Sequence, residues 1–328
     1  MNRIPKSAQN KSYDQEESFS QKILKNRVIT LGLILVLVCI IASIAWPKVF
    51  PVYGNISVLL LGIATDAILA VGMMILLISG WFDLSVGSVL GATGAITANL
   101  IVLGHVNFII AIFIGLLLAV SMGFINGLLI AKVGINPMIQ GLAMMGIGRG
   151  LALMFVNTGL VTFPDGFTAI GQTGFLGLKT PVWYMIIIVA IFSILVQKTI
   201  FFRRYYYIGG NEKAAALSGI NVQRMKLLGF VLSATLAGIA GIIMTSRMGA
   251  ANNTAGTGSE LRVITACILG GASMKGGKGT IIGALLGTIF MGLMGNVMII
   301  ARVGVYWQQI VLGIILVLAV SLDSLVKK

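Results

Sequence analysis

The sequence predicts an all-α polytopic membrane protein of about ten transmembrane helices, arranged as two inverted five-helix repeats. Three observations predict it. Of 328 residues, 58% are hydrophobic and 10% charged, with a mean hydropathy of +1.02, beyond what a water-facing surface carries. The apolar runs between Arg27 and Asp323 fill about ten lengths of ~20 residues, the span of a bilayer helix. The two halves also share short motifs. No stretch remains for a soluble catalytic domain.

Reading the runs against Gly, Pro and charge punctuation places spans at 28–46, 55–79, 84–103, 107–131, 137–157, 182–197, 227–246, 261–274, 280–301 and 306–322. Residues 1–27 form an N-terminal segment and 323–328 a tail, around a transmembrane domain over 28–322 with halves 28–157 and 182–322. The segment before the first span contains Asp14, Glu16 and Glu17, unlike the short basic leader of a cleaved signal, so that span reads as a retained anchor. Trp46, Trp81, Trp183 and Trp307 all fall at span ends, where an indole N–H can reach the headgroup layer. Pro47, Pro51, Pro137, Pro164 and Pro181 sit in connections or at a span's first residue, which leaves glycine to open any broken helix.

The formal charge of +14 would suggest nucleic acid in a soluble chain. Here the basic residues lie at the ends of apolar runs and read as orientation signals, and no nucleic-acid partner is expected. With the N-terminus inside, seventeen Lys and Arg fall on the inner side, and five on the outer: Lys48, Lys179, Arg247, Arg262 and Arg302. Both termini are therefore expected in the cytoplasm, with the 158–181 loop outside and the 198–226 loop inside. The halves align as Asn126-Gly-Leu-Leu-Ile-Ala-Lys-Val-Gly-Ile135 with Asn296-Val-Met-Ile-Ile-Ala-Arg-Val-Gly-Val305, and as Asp83-Leu-Ser-Val86 with Glu260-Leu-Arg-Val263. Each matched pair runs in opposite directions, the pattern of transporters with the pathway at the repeat interface. Gly123-x3-Gly127 and Gly283-x3-Gly287 permit close helix packing.

Conventional catalysis has little to work with. A single histidine, His105, and two separated cysteines, Cys39 and Cys267, build neither a metal site nor a triad, so no catalytic residue, metal or cofactor of its own is expected. The run Gly270-Gly-Ala-Ser-Met-Lys-Gly-Gly-Lys-Gly279 fails as a phosphate loop, with Ala272 in place of the first glycine and Gly279 in place of the magnesium-binding Ser or Thr. Any ATP must then be bound by a partner subunit. The cytoplasmic loop reads as a short helix capped by Asn211, with Glu212 in its first turn and Gly219 ending it, a shape suited to a cleft on a partner.

Three motifs in this order, Gly80-Trp-Phe-Asp-Leu-Ser-Val-Gly-Ser88, Gly209-Gly-Asn-Glu-Lys-Ala-Ala215 with Ser218-Gly-Ile-Asn-Val222, and Leu269-Gly-Gly-Ala-Ser-Met-Lys-Gly-Gly277, resemble the ribose-type permeases of bacterial ABC importers, from about residue 28 onward. Members take up ribose, xylose, arabinose, galactose and related polyols or sugar-like signals. The resemblance implies a plasma-membrane permease homodimer, cytoplasmic ABC ATPases and an extracytoplasmic solute-binding protein. By it, Gly209, Gly210, Asn211, Glu212, Ala214, Ala215 and Gly219 match the loop that couples to the ATPase. Trp81-Phe82 departs from the commoner small residue and Ile before Asp-Leu-Ser.

Asp66 and Arg149 fall near the middle of the second and fifth spans, where isolated charges are costly. They are expected to pair with each other, the alternative being direct contact with solute. Asp83 and Glu260 start glycine-rich helices, where a carboxylate favours the positive helix end; capping and a transport role both fit. The reading is an ATP-driven importer subunit for a small sugar-like solute. The rival is an ion-coupled secondary transporter with Asp66 as its proton or sodium site.

Overall fold

The computed structural model describes residues 27–157 and 159–325. Helices dominate: α1 (Arg27–Ala45), α2 (Tyr53–Ile78), α3 (Val86–Val102), α4 (Phe108–Leu128, continued by a π turn over Leu129–Val133), α5 (Pro137–Phe155), α6 (Asp165–Gln172), α7 (Thr180–Lys198), α8 (Ile200–Gly210), α9 (Glu212–Leu217), α10 (Val222–Met248), α11 (Ser259–Leu269), α12 (Ile281–Ile300) and α13 (Val305–Leu325). Two-residue strands β1 (Leu160–Val161), β2 (Gly174–Phe175), β3 (Leu178–Lys179) and β4 (Ala250–Ala251) pair antiparallel as β1 with β4 and β2 with β3.

Among the described residues seven helices, α1, α2, α4, α5, α7, α10 and α12, are long and apolar enough to cross a membrane. Their boundaries follow local chemistry. Asn107, Asn136 and Asn221 each accept an N–H of the following first turn, at the starts of α4, α5 and α10. At the end of α2, Gly80 adopts φ +81°, Trp81 N–H reaches Leu76 O and Gly80 N–H reaches Leu77 O. That is a Schellman stop, which needs a residue tolerant of the left-handed region.

The expected span at 261–274 is corrected. α11 has eleven residues, about 16 Å at ~1.5 Å per residue, roughly half the ~30 Å hydrocarbon layer. Hydropathy did not mark its end because Gly270-Gly-Ala-Ser273 carries no charge and no proline, whereas the chain turns there, with Gly271 at φ +96°.

α2 is the most buried of the seven, with every residue from Ile63 to Ile78 except Asp66 inside. It packs on α10, and two sets of neighbours follow: α3 and α4 against α10, and α11 and α12 against α2. α3 contacts α4 and α5, as α11 contacts α12 and α13. The GxxxG glycines serve these packings. Gly123 and Gly127 lie on α10 at Phe230 and Leu227, while Gly283 and Gly287 lie on α11 at Gly270 and Ala266.

Candidate functional site

The first turn of α11 carries Glu260 and Arg262, which point about 200° apart around the helix axis. Arg262 Nη1 donates to Asp66 Oδ2 at 3.2 Å, tying α11 to the middle of α2. On the other side Glu260 Oε2 lies 3.7 Å from Arg149 Nη2 on α5. Arg149 also donates to the Ala255 carbonyl at 2.7 Å and the Gly256 carbonyl at 2.9 Å, so it holds the chain reversal that precedes α11. Glu260 Oε1 accepts the Gly258 N–H at 3.3 Å, placing its carboxylate at the helix's own N-terminus.

The expected Asp66–Arg149 pair is therefore corrected: each of the two has an opposite charge beside it, but one supplied by α11. Arg262 reads as an outer-side loop charge in sequence. A helix that begins inside the bundle brings it, with Glu260, to the depth of both partners.

α3 makes room for this turn. Gly87 faces the Glu260 carboxylate and Gly256 O, Gly91 faces Ala255 O, and Gly94 faces Thr245 on α10. Spaced by four and three residues, they form one stripe along the helix. Beside Arg262, a cavity of about 280 Å³ is lined by Asp66, Asn296, Gln308 and apolar residues including Met291 and Leu312. A neighbouring one of about 450 Å³ is lined by Glu260, Arg262 and Gln309 between α11, α12 and α13.

Asp83 is not part of this chamber. It is fully buried in the α2–α3 connection, where its Oδ1 accepts the Ser85 N–H at 2.8 Å and the Ser85 hydroxyl at 2.6 Å. Asn126 of α4 donates to Ser85 Oγ at 3.0 Å, and Gln140 of α5 donates to Asn126 Oδ1 at 3.0 Å. Through Ser85 and Asn126, Asp83 thus ties the α2–α3 connection to α4 and α5.

The third assembly is the loop between α7 and α10. Asn211 Oδ1 accepts the Ala214 N–H at 3.0 Å and caps α9, and Gly219 at φ +83° follows it. Gly209 of α8 lies against Ile78 O and Gly277 N with no space for a Cβ, and Gly277 N–H donates to Ile78 O at 2.7 Å. Tyr206 OH donates to Gly279 O at 2.8 Å and Tyr205 OH to Met225 O at 3.2 Å, and burial pushes both phenols up. The glycine run that fails as a phosphate loop thus serves as a seat for α8. Of the seven loop residues singled out by sequence, Ala215 is buried and Gly209 is wedged, whereas Gly210, Asn211, Glu212, Ala214 and Gly219 are exposed. Leu217, which no sequence motif marks, is 91% exposed beside them. Glu212 pairs with Lys226 of α10 at 2.9 Å.

The chain is similar in sequence to known permeases. The profile of the family described as branched-chain amino acid transport system / permease component matches residues 55–320. The ribose import permease protein of Escherichia coli (strain K12) is 38% identical over 296 residues, 89% of this chain and 91% of that protein. Its Bacillus subtilis (strain 168) counterpart is 41% identical over 273 residues, 82% and 84% of the two chains. The L-arabinose transport system permease protein of Escherichia coli (strain K12) is 40% identical over 297 residues, 90% of each. No solved structure matches the chain.

Proposed function

Because this chain belongs to the permease family described as branched-chain amino acid transport system / permease component, we propose that it is the membrane-spanning subunit of an ATP-driven importer of a small sugar or sugar-like solute. ATP is hydrolysed by a separate cytoplasmic ATPase, and an extracytoplasmic binding protein delivers the solute. The ribose and arabinose permeases among its relatives support the solute class.

The observation that carries the reading is the pairing of the chamber's two carboxylates, with Arg247 of α10 a further cation near Asp66 and, among the described residues, no anion left over. Asp66 is paired with Arg262, Glu260 with Arg149, and the N-terminus of α11 faces Glu260. A zwitterionic amino acid needs a free cation and a free anion, and none of these four groups is free to supply one. A neutral polyhydroxylated solute needs hydrogen-bonding groups and apolar walls, which the cavities supply. The same pairing weighs against ion coupling, since Asp66 already has its counter-ion.

Two inverted halves account for much of the packing: exchanging α2, α3, α4 and α5 with α10, α11, α12 and α13 carries the contacts of α3 and α4 with α10 onto those of α11 and α12 with α2, and the α3–α4 and α3–α5 contacts onto α11–α12 and α11–α13. On α5, Gly146 and Gly150 have no atom within 4 Å of where a Cβ would sit, which offers a small-residue face to a second copy of the chain.

Reconstituted with its ATPase and binding protein, the permease is expected to take up labelled ribose or arabinose only with ATP inside the vesicle. Uptake driven by a proton or sodium gradient without the ATPase would overturn the reading. Orientation has its own check. In a Cys39→Ser background, Leu176→Cys in the β2–β3 turn should react with an impermeant thiol reagent added outside intact cells, and Leu217→Cys on α9 should react only after permeabilisation. The opposite pattern would place both termini outside.

A further inference from the structure

We propose that Lys226 is a positioning residue that transmits movement of the loop helix α9 to the α2–α3 connection through the ring of Trp81, an inference that rests on the importer reading above. Lys226 Nζ is held between two groups. It lies 2.9 Å from Glu212 Oε1, in the first turn of α9, and 5.1 Å from the centroid of the Trp81 ring. A cation over an indole face is attracted by the ring's negative quadrupole, and more strongly when partly desolvated; the Lys226 side chain is 19% exposed.

Trp81 is set to receive that contact. It is the residue after Gly80 in the Schellman stop of α2, and it is buried, at 6% exposure, whereas Trp307 at another span end is 64% exposed. It is therefore not acting as a headgroup anchor. Two residues on is Asp83, fixed through Ser85 to Asn126 of α4 and Gln140 of α5. One residue beyond Val86, the start of α3, Gly87 faces Glu260 and Gly256 of the chamber. The side-chain link Glu212–Lys226–Trp81 runs parallel to the backbone contact of Gly209 with Ile78 and Gly277, so the loop formed by α8 and α9 is joined to the end of α2 at two points, one from each helix. It also assigns a role to Trp81, where the sequence departs from its commoner family pattern.

The test is solute moved per ATP hydrolysed in the reconstituted complex, with ATPase association measured alongside. Lys226→Gln is expected to keep ATPase association and lower the ratio by roughly five-fold or more, the lower end of typical allosteric couplings. Lys226→Arg, which keeps the charge and the ring contact, should retain the ratio. Trp81→Leu should lower it similarly, and the double variant should be no worse than either single one. A normal ratio in Lys226→Gln, or additive losses in the double variant, overturns the proposal. A second measurement needs no partner: in purified permease, Lys226→Gln should speed amide hydrogen exchange in both 212–217 and 79–85. Faster exchange in one segment without the other overturns the link even if the importer reading stands. An unaltered protein with no ATP-dependent uptake overturns the importer reading instead.

Discussion

Arg149→Gln is expected to cost the folded protein about 3 kcal/mol, near the lower end of the ~3–5 kcal/mol seen when one member of a buried ion pair is removed. The lower end applies because the Arg149 side chain retains 22% exposure, against 11% for Glu260. The substitution strands the Glu260 carboxylate, whose Oε2 makes no hydrogen bond, and it releases the Ala255 and Gly256 carbonyls that position the start of α11. With a domain's net stability at roughly 5–15 kcal/mol, that is a large fraction of the whole. The measurement is thermal unfolding in detergent together with the yield of monodisperse protein. Adding Glu260→Gln should recover part of the loss, with a coupling of ~0.5–3 kcal/mol, but not all, because the two carbonyls stay released. Asp66→Asn should cost less, since the Arg262 it strands keeps 38% side-chain exposure. Combined with Arg149→Gln it should be nearly additive. Recovery in the Asp66–Arg149 double variant, with none in Arg149–Glu260, would reverse the pairing described above.

Those pairings mark where sequence reading stopped. That midplane charges must be neutralised follows from the cost of a lone ion in an apolar bundle, and Asp66 and Arg149 were legible on that ground. Their partners were not. Arg262 follows a glycine-rich turn and lies at the edge of an apolar run, so by hydropathy it is a loop residue; its depth depends on α11 starting inside the bundle, which is a property of packing. Most helix positions were legible because Gly, Pro and charge punctuate them locally, as at Pro137 and Gly80; the caps at Asn107 and Asn136 came from the structure. The cap at Asn211 and the left-handed Gly219 were legible for the same reason. The inward placement of Ala215 was not, since it depends on which face of a six-residue helix meets α10. Lys226 reads as one more positive-inside charge, and nothing in its neighbourhood in sequence points to Trp81, which is 145 positions away.

Gly87→Ala should destabilise the protein although helix propensity alone favours it by ~1 kcal/mol. Its added methyl would fall on the Glu260 carboxylate and on the Gly256 carbonyl, the second of which is backbone held by Arg149 at 2.9 Å. Neither can withdraw without breaking the contacts that seat α11, so the crowding cannot be relieved by rotating a side chain. Overpacking of this kind costs ~1–3 kcal/mol, enough to reverse the sign set by propensity. Gly91→Ala should behave likewise, because its methyl would meet the Ala255 carbonyl at 2.6 Å. Gly32→Ala in α1, where no atom lies within 4 Å of the added carbon, provides the contrast and should be neutral or stabilising. Thermal unfolding of the three variants in the same detergent decides the matter. If Gly87→Ala is as stable as Gly32→Ala, then α3 does not hold the turn before α11 in contact, and the chamber's two ion pairs must be positioned by α2 and α5 without it.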